Sequence, residues 1–566
     1  MAAVAAANPS AAAIAPPSAS APPTAAEAAE SVRQFRLERE TELRVEVEWD
    51  AKLAVKLVSG TAEIFGSEIA VGQNVAFDGG EKFAVFTWHG CSLEVRGSPT
   101  LPDAMYAADE TPMVSYLNLH AVLNVRRVEA ARSLMRAKQQ LAQLQQQQQQ
   151  LQYQHQQRQQ QQQHPHQQQQ YQHQLQRLQR HKQQLENKIN SLVLTKVPRV
   201  LLVGPTDSGK STLARMLLCW AARQQWHPTY VDLDVAHSSV TVPGAVAATP
   251  VEAPLEANAR SVEEAPLVLF YGHTNPSANL DLYRALVTAL ADATDRRLGI
   301  TPLGEAGGEE GGGEGERGGA GREAGGGAAA IGAAAIGAAA IGAVPVEAAA
   351  AGMIANSMGW VDGAGYQLLL HSIDALRANV VLVLGQERLY SMLSEHYRSK
   401  AVAAAADGTP ASHAAAVEVV KLVRSGGAVS RASKFRQRLR QAVIKAYFYG
   451  PERQFSPHSS TASWSEYTVL RVGGGPQAPQ SALPIGAARV SDPLRTAPVV
   501  LSRELEHHVL AVSHAKEEKD AVTGSIAGFI CITQVDIAKG KFMFIAPSPG
   551  PLPGKILLFG SLTWVE

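Results

Sequence analysis

Residues 34–97 alternate apolar and polar positions with a period of two. Leu43 and Val45 alternate with charged residues, and later runs in the segment repeat this spacing. Turns rich in glycine, such as 78–80, separate the runs. Because successive side chains of a β-strand point to opposite faces, the pattern predicts a small antiparallel β-domain over 31–112.

From about residue 199, short apolar runs alternate with helical stretches. This alternation is typical of a parallel sheet with helices on both faces, and predicts an α/β domain over 191–450. After it, glycine- and proline-rich sequence with short apolar runs predicts a β-rich domain over 451–566. A helix over 113–138 is expected to follow the first domain. The runs predicted as buried strands of the α/β domain are 200–203, 229–233, 267–271 and 379–384.

Three low-complexity blocks interrupt these domains: residues 1–30, a glutamine-rich insert over 139–190, and a glycine- and alanine-rich insert over 304–351. They contain too little apolar surface to offset the entropy of ordering them, so we expect disorder. For the glutamine tract a helix or coiled coil stays open, because leucines recur there without a sustained heptad. These leucines are Leu141, Leu144, Leu151, Leu175 and Leu178.

Charge and cysteine content narrow the class of protein. Lys and Arg together number 51, as do Asp and Glu, so the chain does not attract nucleic acid through its net charge. Three scattered cysteines do not provide a disulfide framework or a zinc cluster, which favours a reduced intracellular compartment. Residues 1–30 contain no Lys or Arg, which favours a tail over a targeting peptide. No stretch is suited to crossing a membrane.

The sharpest motif is GPTDSGKST over residues 204–212, which matches G-x4-G-K-[ST]. It follows an apolar strand and opens an amphipathic helix. Gly204 and Gly209 let consecutive backbone N–H groups point at phosphate oxygens, and the positive end of the helix adds to that field. Lys210 is expected to reach the β- and γ-phosphates of a nucleotide, and Ser211 to coordinate Mg²⁺.

Two carboxylates follow the next predicted strand. Asp232 and Asp234 end it, and two residues spaced in this way on a strand point to the same side. We expect Asp234, nearest the loop, to organise Mg²⁺ or to accept a proton from an acceptor hydroxyl. The alternative is a solvated carboxylate at a strand end, and it carries more weight for Asp232 than for Asp234.

The segment 421–450 contains eight basic residues and no acidic one. Arg431 and Arg436 are candidates for a lid that neutralises charge on a transferring phosphoryl group, and the others could contact nucleic-acid phosphates. For any single residue, a solvated helix face is the more common explanation. The eight are Lys421, Arg424, Arg431, Lys434, Arg436, Arg438, Arg440 and Lys445.

Several motifs together resemble the eukaryotic polynucleotide 5′-hydroxyl kinase family of CLP-one type. They cover the chain outside its low-complexity blocks, and the first and third are specific to that family. The motifs are FRLERETELR over 35–44, AEIFG over 62–66, FAVFTWHGC over 83–91, the 204–212 loop, SGG over 425–427, YFYG over 447–450 and PLP over 551–553.

The resemblance implies a central P-loop kinase-like domain between an N-terminal β-sandwich-like domain and a C-terminal β-rich domain. It implies bound ATP with Mg²⁺, and membership of the nuclear machinery that cleaves and polyadenylates pre-mRNA, with tRNA-splicing endonuclease as a further possible partner. Trp360 resembles the residue against which an RNA end stacks, and Arg431 and Arg436 resemble lid arginines. The implied ATP contacts are Glu42, Lys82, Asp207, Ser208, Gly209, Lys210, Ser211 and Thr212.

The chain departs from the family pattern at two points. Active kinases of the family have Asp-x-Gly-Gln after the second strand, where this chain has Asp234-Val-Ala-His237. Gly385 stands where an acidic residue is usual. We therefore expect an ATP-binding subunit required for endonucleolytic cleavage in pre-mRNA 3′-end formation. The alternative is an active kinase that transfers the ATP γ-phosphate to RNA 5′-hydroxyl ends. A small-molecule nucleotide kinase is disfavoured, because it would leave both flanking β-domains without a use.

Overall fold

The computed structural model describes residues 31–98, 105–159, 165–259, 266–300, 344–406, 417–451, 453–474 and 492–565. The predicted tail over 1–30 and most of the glycine- and alanine-rich insert lie outside these residues. In the part of the chain that is described, no helix combines the length and apolar character needed to cross a membrane.

Two antiparallel sheets form the N-terminal domain, as the period-two pattern predicts. One has the strand order β1-β8-β3-β6 and the other β5-β4-β7-β2-β9. The alternating apolar residues Leu43, Val55 and Val85 are fully buried between them. The strands are β1 (Ser31–Leu37), β2 (Thr41–Glu46), β3 (Lys52–Gly60), β4 (Ala62–Ile64), β5 (Ser67–Ile69), β6 (Asn74–Phe77), β7 (Lys82–Thr87), β8 (Cys91–Ser98) and β9 (Met105–Ala108).

A long helical hairpin follows, formed by α1 (Met113–Gln159) and α2 (Pro165–Thr195). The helix predicted over 113–138 was too short, and the expected disorder of the glutamine tract was wrong for its described residues. Leu141 and Leu144 of α1 are buried against Leu185 of α2 and its neighbours. Alanine and leucine on one face of α1 provide the apolar surface that glutamine lacks. The described part of the glutamine tract is therefore helical, which is the alternative that the sequence left open.

The central domain is built on a seven-stranded sheet with the order β13-β12-β11-β14-β10-β15-β16. All neighbouring pairs are parallel except those made by β12, which runs antiparallel to β11 and β13. The four predicted strand runs are confirmed as β10, β11, β13 and β15. The strands are β10 (Arg199–Val203), β11 (Thr229–Asp232), β12 (Ala245–Pro250), β13 (Leu267–Phe270), β14 (Met353–Asn356), β15 (Val380–Leu384) and β16 (Glu418–Leu422).

Helices cover this sheet and complete the core of the domain. The strands β10 and β15 are buried along their whole length, so each presents apolar residues on both faces. One helix, over 346–351, lies in the insert expected to be disordered, where three alanines pack in the core formed with α1. The helices are α3 (Lys210–Arg223), α4 (Leu280–Arg297), α5 (Val346–Ala351), α6 (Ala364–Ala375), α7 (Glu387–Ala406) and α8 (Ser433–Tyr449).

The C-terminal domain contains a seven-stranded sheet with the order β17-β22-β21-β20-β23-β18-β19. It contacts the central domain through α8, where the Tyr447 hydroxyl accepts a hydrogen bond of 2.9 Å from the backbone N–H of Phe529. The strands are β17 (His458–Ser463), β18 (Thr468–Val472), β19 (Thr496–Pro498), β20 (Val509–Ser513), β21 (Ile526–Asp536), β22 (Lys541–Ala546) and β23 (Ile556–Phe559).

Candidate nucleotide site

The loop over 204–209 joins β10 to α3 with the backbone that the motif requires. Gly204 has φ of 155°, and a Cβ there would lie 2.8 Å from the carbonyl oxygen of Leu384 on the neighbouring strand. Gly209 has φ of 93° and precedes the first residue of α3. The loop therefore turns tightly enough to aim its N–H groups, with the N-terminus of α3, at one point in front of the sheet.

Lys210 lies under this loop and is 6% exposed. Its Nζ donates hydrogen bonds of 2.9 Å to the carbonyl oxygens of Gly204 and Pro205. Burial lowers the pKa of Lys210 to about 8, although the charges of Asp234 and Asp207 oppose this shift. The ammonium group is held at the loop, where a phosphate group would restore the lost solvation.

Asp232 is a buried organising residue. Its carboxylate accepts hydrogen bonds of 2.8 Å from both the backbone N–H and the hydroxyl of Ser239, and one of 3.2 Å from Asn356 Nδ2. Asn356 Nδ2 also donates to Ser211 Oγ at 3.1 Å. Burial raises the pKa of Asp232 to about 6, and the charge of Asp234 adds to the shift. Asp232 thus fixes the turn that follows β11. Through Asn356 it also orients the side chain of Ser211, the candidate magnesium ligand.

Asp234 lines the cavity in front of the loop, as expected. The strand β11 ends at Asp232, so strand alternation does not determine where Asp234 points. Burial would raise the pKa of Asp234, but the nearby His237 and the charge of Lys210 outweigh it and lower this pKa. His237 Nδ1 lies 3.7 Å from Asp234 Oδ2, and its buried Nε2 has no hydrogen-bond partner in the described structure.

The basic segment closes over the loop through Asp207. The Asp207 carboxylate accepts a hydrogen bond of 2.9 Å from the backbone N–H of Arg431 and one of 3.2 Å from Arg436 Nη1. Arg436 Nη1 also donates to the Arg431 carbonyl at 2.6 Å. We call residues 425–438 the lid. Both predicted lid arginines lie at the phosphate loop; Arg431 lines the cavity, whereas Arg436 holds the lid to Asp207.

The N-terminal domain supplies the opposite wall of the cavity. Glu42 is buried and accepts hydrogen bonds from Arg44 Nε at 2.6 Å and Thr111 Oγ1 at 2.8 Å. Lys82 Nζ lies 2.6 Å from Glu46 Oε1. The residues that the resemblance implies as ATP contacts are thus brought to one place from two domains.

The cavity has a volume of about 380 Å³, within the range of small-ligand sites. Polar groups gather at the phosphate loop, whereas the side of the N-terminal domain and α1 combines apolar and aromatic side chains with charged residues such as Glu42 and Lys82. A nucleotide fits this division, with phosphates at the loop and the base between apolar walls. The apolar walls include Phe65, Phe83, Phe86, Met113, Tyr116 and Met216.

Trp360 does not line this cavity. It is partly buried and packs so closely against α6 that a Cβ on Gly365 would lie 2.5 Å from its ring. The neighbouring Gly359 does line the cavity and contacts the loop residue Thr206. An RNA-stacking role for Trp360 stays a prediction of the resemblance.

Several residues at the site received no individual role from the sequence. Arg440 lines the cavity from α8, and Arg44 and Tyr116 line it from the N-terminal side. Arg440 was one of eight basic residues without a signal to single it out. Tyr116 lies in the first turn of α1. Its hydroxyl donates a hydrogen bond of 2.8 Å to the carbonyl oxygen of Val423, which is 307 residues away in the sequence.

The fold and site define a nucleotide-binding protein of the P-loop class, in which a second domain completes the pocket. The chain belongs to the CLP1 family. Three family models cover it in order: the N-terminal beta-sandwich domain of polyadenylation factor over 36–130, the mRNA cleavage and polyadenylation factor CLP1 P-loop over 204–307 and 339–450, and pre-mRNA cleavage complex II protein Clp1 over 455–566.

Similar proteins span nearly the whole chain. A protein CLP1 homolog of Arabidopsis thaliana is 39% identical over 95% of each chain. A polyribonucleotide 5′-hydroxyl-kinase Clp1 of Homo sapiens is 32% identical over 94% of this chain and 96% of its own. The solved structure of wild-type Clp1p with Pcf11p matches with a TM-score of 0.64 and 18% identity, over 95% of this chain and 99% of that chain, and supports the fold.

Proposed function

We propose that this protein is an ATP-binding subunit required for endonucleolytic cleavage in polyadenylation-dependent pre-mRNA 3′-end formation. The observation that carries the proposal is a single cavity lined by the phosphate loop, the lid and the N-terminal domain. A ligand in this position contacts three elements at once. It would fix the angle between the two domains and so the surface that they present to partner proteins.

The described residues fit ATP with Mg²⁺. Lys210 and the loop N–H groups would bind the phosphates, and Arg431 would face them from the lid. Ser211, oriented by Asn356, and Asp234 provide oxygen ligands of the kind that Mg²⁺ prefers. The metal would neutralise charge between the β- and γ-phosphate oxygens. Glu42 and Lys82 would contact the nucleotide from the N-terminal domain.

The proposed partners are the other subunits of a nuclear pre-mRNA cleavage factor, together with RNA. Support comes from the names of the family models and from the solved Clp1p relative, which was determined with Pcf11p. We propose that this chain binds a counterpart of Pcf11p and acts in the nucleus. Association with tRNA-splicing endonuclease is a further proposal, carried by the resemblance alone.

The proposal is tested in a cleavage extract depleted of its resident CLP1 protein. Adding wild-type protein should restore endonucleolytic cleavage of a polyadenylation substrate, whereas Lys210→Ala should not. Calorimetry on the same proteins should show ATP binding by the wild type only. Full restoration by a Lys210→Ala protein that does not bind ATP would refute a requirement for the nucleotide.

The second candidate is an active polynucleotide kinase, and His237 favours it. The Nε2 atom of His237 is buried without a partner beside the cavity, while Nδ1 faces Asp234. This arrangement leaves one imidazole nitrogen of a cavity-lining residue available to a polar group of an acceptor. His237 or Asp234 could then accept the proton of an RNA 5′-hydroxyl, in place of the family's glutamine.

Incubation with ATP labelled at the γ-phosphate and RNA with a 5′-hydroxyl end decides between the two functions. A kinase would label the RNA, and the label would disappear in Lys210→Ala and fall in His237→Ala. The variant His237→Gln, which restores the family's residue, should retain or raise the activity. The absence of labelling by wild-type protein that binds ATP would exclude the kinase.

A further inference from the structure

An aromatic pair joins the lid to the N-terminal domain. Phe435 lies in the first turn of α8, between the lid arginines, and its ring centroid is 5.1 Å from that of Trp49. Trp49 belongs to the turn between β2 and β3 of the other domain. We call Trp49 and Phe435 the aromatic latch. Together they connect the element that carries Arg431 and Arg436 to a part of the chain nearly 400 residues away.

The N-terminal domain holds Trp49 in a fixed place. The backbone N–H of Val47 donates a hydrogen bond of 2.9 Å to the carbonyl oxygen of Glu81. The backbone N–H of Gly80 donates one of 2.9 Å to the carbonyl oxygen of Val47. A Cβ on Gly80, which has φ of 86°, would lie 2.9 Å from the indole ring. The turn at Gly80, between β6 and β7, therefore leaves room for the Trp49 ring. The two hydrogen bonds fix this turn to the turn between β2 and β3 that carries Trp49.

Three cations surround the aromatic latch. Lys82 Nζ lies 5.4 Å from the centroid of Phe435, and the Arg431 guanidinium lies 5.4 Å from the same ring. The Arg438 guanidinium lies 5.2 Å from the centroid of Trp49. Lys82 and Arg431 also line the cavity, so the latch lies directly behind two of the groups that face it. A cation over an aromatic face is attracted by the ring's quadrupole, which favours this arrangement.

The lid is thus held at two points. Asp207 binds it from the phosphate loop, through Arg431 and Arg436. The aromatic latch holds it from the N-terminal domain. Loss of the contact with Asp207 would weaken the attachment of the lid to the phosphate loop, and loss of Trp49 would weaken its attachment to the N-terminal domain.

We propose that Trp49 is a positioning residue, which keeps the lid closed over the phosphate loop by holding Phe435 and with it Arg431. This inference rests on the proposed nucleotide binding and assigns no chemical step to Trp49. It predicts that the latch slows the escape of bound nucleotide. Without Trp49, the lid arginine would contact phosphate for a smaller fraction of the time, so nucleotide would leave faster.

Displacement of a fluorescent ATP analogue from the full-length chain, followed by stopped-flow fluorescence, tests the inference. Trp49→Ala should release the analogue about tenfold faster, the loss expected for one aromatic and one cation–π contact. Trp49→Phe keeps a ring against Phe435 and should restore most of the wild-type rate. Trp464→Ala, which removes an indole packed on Phe542 in the C-terminal domain, is the matched control and should leave the rate unchanged.

A double-mutant cycle separates positioning from a merely structural role. If Trp49 acts through the lid, Trp49→Ala should have little further effect in an Arg431→Ala background. Unchanged release from Trp49→Ala, or full additivity with Arg431→Ala, would overturn the inference while leaving nucleotide binding intact. A wild-type protein that does not bind the analogue would instead refute the proposed function, and the latch with it.

Discussion

At the scale of single residues, the site depends on how much of its charge is buried. Lys210 is almost fully enclosed, and burial makes its cationic form less favoured than in water, although two backbone carbonyls accept its hydrogen bonds. Phosphate binding requires that cationic form. Binding of ATP should therefore be linked to protonation of Lys210.

The expected sign follows from the lowered pKa of Lys210, about 8 in the free protein. Above that pH the neutral amine prevails, so ATP affinity should fall as pH rises, by up to about tenfold per pH unit. Because phosphate favours the ammonium form, binding near pH 8 should take up about half a proton, and binding near pH 6.5 almost none.

Calorimetry of ATP binding in buffers with different ionisation enthalpies measures this uptake directly. Lys210→Ala, which lacks both the titrating group and the phosphate contact and should not bind ATP, gives the background heat of the titration. A proton uptake that stays constant between pH 6.5 and pH 9 would contradict the assigned role of Lys210.

The motif over 204–212 was sufficient to predict which residues form the phosphate loop. The motif did not predict the role of Asn356, whose side chain donates hydrogen bonds to both Asp232 and Ser211. Asn356 ends β14, and its nearness to Ser211 depends on β14 lying between β10 and β11 in the sheet. Strand order is a property of the whole fold and leaves no local signal in the sequence.

At the scale of elements, the helical hairpin shows where composition misleads. The glutamine tract is poor in apolar residues on average, but several of those that it contains lie on the buried face of α1 or α2, namely Leu141, Leu144, Leu185 and Ile189. Burial of a few apolar residues on one face is enough to stabilise a helix when the helix that it packs against belongs to the same chain. A sequence average over the tract hides this spacing.

Two adjacent residues of α1 test the hairpin. Leu134 is fully buried, whereas Met135 beside it is 48% exposed. Leu134→Ala should lower the free energy of unfolding by about 3 kcal/mol, since it removes apolar contacts and leaves a cavity. Met135→Ala should change it by less than about 0.5 kcal/mol.

Urea denaturation followed by far-UV circular dichroism measures both variants. Equal effects of the two substitutions would mean that α1 does not bury the face seen in the structure. The comparison is matched, because both changes remove a side chain of similar size from the same turn of one helix.

At the scale of the whole molecule, the N-terminal domain is attached to the helix that begins at the phosphate loop. Glu63 of β4 is buried and accepts hydrogen bonds from Trp220 Nε1 at 3.3 Å and Arg223 Nη1 at 3.2 Å. Arg223 also pairs with Glu68. Burial raises the pKa of Glu63, so Arg223 is needed to hold the carboxylate in its charged form.

Arg223→Ala should therefore loosen the two domains, because it leaves a buried carboxylate without its cation. In differential scanning calorimetry we expect the N-terminal domain to unfold at a lower temperature, separately from the central domain. Saturating ATP should bring the two transitions closer, since the nucleotide would contact both domains.

The control is Arg39→Ala, which removes an ion pair with Glu40 in which the Arg39 side chain is 75% exposed. Such surface pairs contribute little, so its calorimetric trace should match the wild type. A single unshifted transition in Arg223→Ala would contradict the proposed attachment.

The domain order could be predicted from the sequence, because each domain has its own hydrophobic period. The contacts between the N-terminal and central domains could not be predicted in this way. Glu63 and Arg223 are ordinary charged residues in their local sequences, and only the packing of β4 on α3 makes them partners. The same holds for Trp49 and Phe435, which lie in two different domains.

The most direct test of the central claim is a crystal structure of the full chain with a non-hydrolysable ATP analogue and Mg²⁺. We expect phosphate density at the loop N–H groups and Lys210 Nζ, with the base against the N-terminal wall that contains Glu42. An empty cavity in crystals of protein saturated with the analogue, or a nucleotide bound by the central domain alone, would contradict it.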